Sequence, residues 1–105
     1  MNYINLNKDK RIISLVKHFS DKYGENTFKI KDHWESDLCA IGLTDNSEKY
    51  LIYISTYGRA KGHFYVSLEN LTKNDLEYED AGDFNDVDLT ILDSHFMQHL
   101  RIKTL

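Results

Sequence analysis

Tyr50-Leu51-Ile52-Tyr53-Ile54-Ser55-Thr56-Tyr57, then Gly58-Arg59-Ala60-Lys61-Gly62, then His63-Phe64-Tyr65-Val66-Ser67-Leu68 is the stretch that decides the fold. Both runs are β-branched and aromatic, a composition that suits a pleated, half-buried surface. The connector has a glycine at each end and reverses the chain, so the two runs read as an antiparallel pair. Upstream lies a compact apolar run, Leu38-Cys39-Ala40-Ile41-Gly42-Leu43, followed by Thr44-Asp45-Asn46-Ser47, a turn of residues that bond their own backbone. These three runs form a meander, and Thr27-Phe28-Lys29-Ile30 alternates like one more short strand.

Helical spacing flanks the meander on both sides. Over residues 8–23, Ile12, Ile13, Val16, Phe19 and Tyr23 fall on one stripe, with Asn7 or Asp9 as the cap and Gly24 just past the last turn. Over 88–100, Leu89, Leu92, Phe96 and Leu100 recur at spacings of three, four and four, with Ile91 on the margin and Asn85 or Asp86 as the cap. The prediction is a single α+β domain spanning 1–105: an N-terminal helix, an antiparallel sheet of four or five strands and a C-terminal helix in a two-layer sandwich. A chain of 105 residues with no proline and no linker-like stretch suits one core.

A period of two sorts the sheet into faces. Phe64, Val66 and Leu68 point with Ile52 and Ile54 toward the helices. His63, Tyr65 and Ser67 point away, with Tyr53, Ser55 and Tyr57. A free antiparallel face ordinarily carries Lys, Glu and Thr; this one is phenolic, which suits either structural cover or contact with another protein.

Charge is segregated along the chain. Residues 1–68 carry ten bases and eight acids, residues 69–93 carry nine acids and Lys73, and residues 94–105 carry two bases. These segments contribute +2, −8 and +2 to the net charge of −4. A local field of this sign attracts basic surfaces and repels phosphate backbones, so the pattern predicts a basic protein partner and no nucleic acid. The block Glu69–Asp86 holds too few aliphatic residues for an independent element, with Leu76-Glu77-Tyr78 as a candidate edge strand.

The familiar chemistries fail one by one. His95 and His99 stand four apart on one helix face, a zinc-compatible spacing, but the glutamate of a metalloprotease helix is replaced by Phe96 and no third ligand is evident. His33-Trp34-Glu35 matches half of the zinc deaminase signature, whose other half needs a proline and two cysteines. Cys39, the one cysteine, lies within an apolar run and is expected as a core residue with a raised thiol pKa. The loop Gly58–Gly62 has no following helix to receive a phosphate, and Asp83, Asp86 and Asp88 lack calcium-loop spacing. Trp34, set among acids, is expected to plug the end of the core. The expectation is therefore no enzyme, no cofactor and no metal. One cysteine, no signal-like start and no apolar run long enough to span a bilayer point to a cytoplasmic protein without membrane contact. Richness in Asn, Lys, Asp, Ile and Tyr fits a bacterial genome of low GC content.

Phe64-Tyr65-Val66-Ser67-Leu68-Glu69, the acidic loop through Tyr78, Gly82 and Phe84, the closing helix with Leu89, Leu92 and His99-Leu100, and the segment Trp34–Leu43 together resemble the small acidic immunity proteins of polymorphic and contact-dependent toxin systems. The likeness spans about residues 28–100. It implies a non-enzymatic inhibitor that covers the working surface of a nuclease-like toxin. On that reading Glu77, Glu79, Asp80, Asp83 and Asp86 steer the encounter, and Tyr53, Tyr57, Tyr65 and Phe84 anchor it. The rival expectation is a homodimer, structural or regulatory, pairing through the tyrosine face.

Overall fold

Asp9 starts the first helix by accepting bonds through its carboxylate from the Arg11 and Ile12 amides, at 3.1 and 3.3 Å. Two otherwise orphaned donors are thereby satisfied. The computed structural model describes residues 6–31, 36–72 and 77–103. Trp34 and Leu76, with the expectations attached to them, lie outside that set. The elements run α1 (Lys10–Tyr23), β1 (Lys29–Ile30), β2 (Ala40–Thr44), β3 (Tyr50–Ser55), β4 (His63–Leu71), β5 (Tyr78–Asp88) and α2 (Leu89–His99). Gly24 closes α1 at φ +97°, a backbone that a side chain would strain.

The five strands form one antiparallel sheet in chain order, β1-β2-β3-β4-β5, so every neighbour in space is a neighbour in sequence. Pairings such as Ile41 with Ile54, Ile54 with Val66 and Ile52 with Leu68 align the apolar residues in rows. Those rows face both helices. Ile12, Leu15, Val16 and Phe19 of α1 and Leu92 and Phe96 of α2 join them in one core. The predicted architecture, an α+β sandwich with both helices on one side, is the one found.

Three phenylalanines weld the layers. The Phe19 and Phe96 rings stack at 3.8 Å between centroids and 3° between planes, and Phe28 meets Phe96 edge-on at 5.3 Å. All three are buried. Next to them Asp93 is 9% exposed, accepting from His18 Nε2 at 2.9 Å and from Lys22 Nζ at 3.1 Å. A carboxylate at that depth requires such partners.

Four sequence expectations need correction. The acidic block is not a loop: residues 78–88 form the longest strand of the sheet, because the free edge of β4 supplies a backbone template that tolerates charged side chains. Leu89 is 37% exposed and does not join the core stripe of α2; Asp93 takes the inward position because Lys22 pairs with it and His18 hydrogen-bonds to it from α1. The α2 cap is Asp88, whose carboxylate accepts from the Ile91 amide at 2.9 Å, and not Asn85 or Asp86. Cys39 is half-buried at the mouth of β2, its thiol donating to Asp9 Oδ2 at 3.3 Å. The Asp9 bond is the chief reason its pKa is raised, ahead of burial.

Truncating the central ring should show how far the two layers depend on it. Phe96→Ala removes a fully buried, stacked aromatic and is expected to cost about 3–5 kcal/mol, whereas Ile91→Ala, at a position 46% exposed, should stay within about 0.5 kcal/mol. Urea unfolding midpoints of the two variants check this directly.

Candidate protein-docking surface

The outer face of the sheet divides into two halves. Toward β2, Ala40, Gly42, Thr44 and Leu51 are buried. Toward β4 and β5, Tyr53, Tyr65, Ser67 and His63 are half-exposed, and among the described residues no helix packs over them. Strand register accounts for the grouping: Tyr53 pairs with Ser67, and Ser55 with Tyr65. The Tyr53 and Tyr65 rings meet edge-on at 6.1 Å, an arrangement that fixes both phenols on the surface. Tyr57 lies in the β3–β4 loop and is 78% exposed.

β5 borders this open half as an edge strand. Its pairing with β4 skips twice, between Phe64/Val66 and Ser67/Glu69. In each gap β5 contributes one residue more than β4. At the second gap, Gly82 sits at φ +123° and its amide donates to Asp80 Oδ1 at 3.1 Å. Such bulges re-aim side chains and interrupt an edge that would otherwise invite uncontrolled strand pairing.

The bulges turn carboxylates toward the tyrosine face. Tyr65 donates its hydroxyl to Asp83 Oδ2 at 3.2 Å. His63 Nδ1 lies 3.0 Å from Asp86 Oδ1, and Asp80 stands directly opposite Glu69. Burial, then the bond to Asp83 and its charge, raises the Tyr65 phenol pKa, so the ring stays a neutral donor. Like charges facing each other across strands oppose folding. Among the described residues, no lysine or arginine forms an ion pair with Glu77, Glu79, Asp80, Asp83, Asp86 or Asp88. At the top of the strand, Arg59 clasps the Asn85 backbone oxygen at 2.7 Å and its side-chain oxygen at 2.6 Å.

The nine anticipated contact residues are therefore not one patch. Tyr53, Tyr65, Asp80, Asp83 and Asp86 converge on the outer face, with Tyr57 beyond the β3 end. Glu77 precedes β5, and Glu79 pairs with Asn70 on the helix-side parity. Phe84 is on the helix side, opposite Val66, its ring stacked on His95 at 4.2 Å. The missed member is His63, whose alternation with Tyr65 and Ser67 was visible but whose carboxylate partner depends on the bulge.

The two histidines of α2 are drawn to different neighbours. His99 Nε2 lies 2.9 Å from the Glu69 carbonyl oxygen, with the Tyr50 ring edge-on at 5.8 Å, while His95 is covered by Phe84. No group of three or more metal-ligating side chains is found among the described residues. Among the described residues, no helix is long and apolar enough to cross a membrane. No known family model matches the chain, and no curated protein or solved structure is significantly similar to it.

Burial, then the charge of His99, lowers the His95 pKa below its ordinary 6.5. Between the folded value and 6.5 the unfolded chain binds more protons than the folded one, so stability rises with pH across that window and falls as the solution is acidified through 6.5. His95→Gln is expected to flatten this part of the acid limb. Unfolding midpoints measured from pH 7.5 to 5, alongside an NMR titration of the ring, check the sign.

Proposed function

We propose that the chain is a non-enzymatic, cytoplasmic protein-binding module that neutralises a basic, nuclease-like bacterial toxin domain by seating it on the open half of the sheet. The observation that carries this reading is the juxtaposition of Tyr53 and Tyr65 with Asp80, Asp83 and Asp86, carboxylates that form no ion pair with a lysine or arginine among the described residues. Uncompensated charge beside rigid, amphipathic rings divides the labour of binding. The field accelerates encounter with a cationic surface, and the rings supply slow dissociation once water is excluded. A nuclease presents such a cationic surface because it must hold phosphates. The resemblance of sequence layout to immunity proteins points the same way.

A second copy of the chain fits the acidic edge poorly. Two β5 strands side by side would bring Glu79, Asp80, Asp83 and Asp86 of one against those of the other, which costs energy at each pairing.

The test is an inspection of the neighbouring genes for a basic toxin domain, followed by a mixing experiment with the domain found there. The protein is expected to sediment as a monomer alone, to form a one-to-one complex and to abolish the nuclease activity. Asp80→Lys with Asp83→Lys should slow association roughly tenfold at low salt and remove most of its salt dependence. Tyr65→Ala should act mainly on the dissociation rate. A toxin domain that neither binds nor loses activity would overturn the proposal.

A further inference from the structure

On the side of the molecule away from the tyrosine face, an apolar pocket of about 270 Å³ opens between the first turns of α1, the end of the β3–β4 loop and the start of α2. Its floor is Leu15 and Phe64, and the exposed Leu89 forms one wall. Lys10 and Arg11 rim it from the helix and Lys61 from the loop. We propose that this pocket binds a small amphipathic carboxylate, its alkyl chain against Leu15, Phe64 and Leu89 and its head group between Lys10 and Lys61.

The case rests on shape and charge together. Pockets for small molecules are mostly carbon, with a few placed polar groups that fix orientation, and the lining here has that make-up. Arg11 spends its guanidinium on neutral acceptors, the carbonyl oxygens of Arg59 at 3.1 Å, Ala60 at 2.7 Å and His63 at 3.4 Å. Those bonds hold the loop against α1 and fix the pocket mouth, and they leave the arginine charge uncancelled. Among the described residues, Lys10 and Lys61 have no hydrogen-bond or ion-pair partner for their ammonium groups.

The nearest carboxylates in sequence are committed elsewhere. Asp9 accepts from the Arg11 and Ile12 amides and the Cys39 thiol, and Asp88 accepts from the Ile91 amide. His18, also on the wall, is engaged by Asp93. Three cations that form no ion pair among the described residues, around a carbon-lined hollow in a chain of net charge −4, select an anion that brings its own apolar body. A bare inorganic anion leaves Leu89 in water; a neutral lipid leaves the lysines without a partner.

Octanoate is the probe, titrated by calorimetry and by amide chemical shifts, with octanol and acetate supplying the chain and the head group separately. Octanoate is expected to saturate one site with a Kd on the order of 0.1–1 mM, the range open to a ligand of this size. Shifts should be confined to residues 10–18, 61–64 and 89. Lys10→Gln with Lys61→Gln should weaken octanoate about three- to tenfold and leave octanol unchanged. Ser14→Trp, at an exposed position on the rim, should block the chain. The inference is overturned if octanoate does not saturate the wild-type protein below about 10 mM. It is equally overturned if octanol or either variant matches the wild-type octanoate affinity.

Discussion

The stack of Phe19 on Phe96, with Phe28 against its edge, is the contact on which the remaining structure depends. It joins α1, which enters before the sheet, to α2, which leaves after it, and so brings both helices to the same side. Burying three rings on that side completes the core and leaves the other layer of the sheet without a helical cover over β4. The open tyrosine face is thus a consequence of where the apolar surface went. The Asp93 cluster reinforces the same junction, since a carboxylate at the helix interface is tolerable only with His18 and Lys22 in contact.

Charge follows the same division. Acids accumulate on β5, where an edge strand needs protection from uncontrolled pairing and where side chains reach water on both faces. The two bulges then bend several of them toward Tyr65 and His63. Cations that form no ion pair among the described residues, Lys10, Arg11 and Lys61, gather on the helical side near the C-terminal end of β5. The two faces of the sheet therefore differ in charge, with carboxylates beside the tyrosines on one and a small positive mouth on the other.

Much of the fold was legible in the sequence because strong local signals agreed with tertiary demand. The run from Tyr50 supplied β3 as far as Ser55, the glycines at 58 and 62 turned the chain, and the alternation of His63 to Leu68 assigned the faces correctly. β5 was hidden because its aliphatic content is low; an edge strand draws its stability from the neighbouring backbone, which no composition reveals. Asp93 and Leu89 exchanged their expected positions for a similar reason. A periodic stripe weighs each residue alone, while His18 and Lys22 lie more than seventy residues away from the acid they contact. Of the contact residues, parity placed Tyr53 and Tyr65 rightly. Phe84 lies apart from them, opposite Val66 and against His95, because the acidic stretch that was read as a loop is a strand whose bulges set which face each residue takes.

An amide footprint of the protein in complex with a basic toxin domain of the proposed kind bears most directly on the central claim. Hydrogen exchange should show new protection along β4 and β5, centred on Tyr65 and residues 80–86, with Tyr53 included and the outward surfaces of α1 and α2 unchanged. Protection confined to the helices, with β5 exchanging as it does in the free protein, would contradict the account.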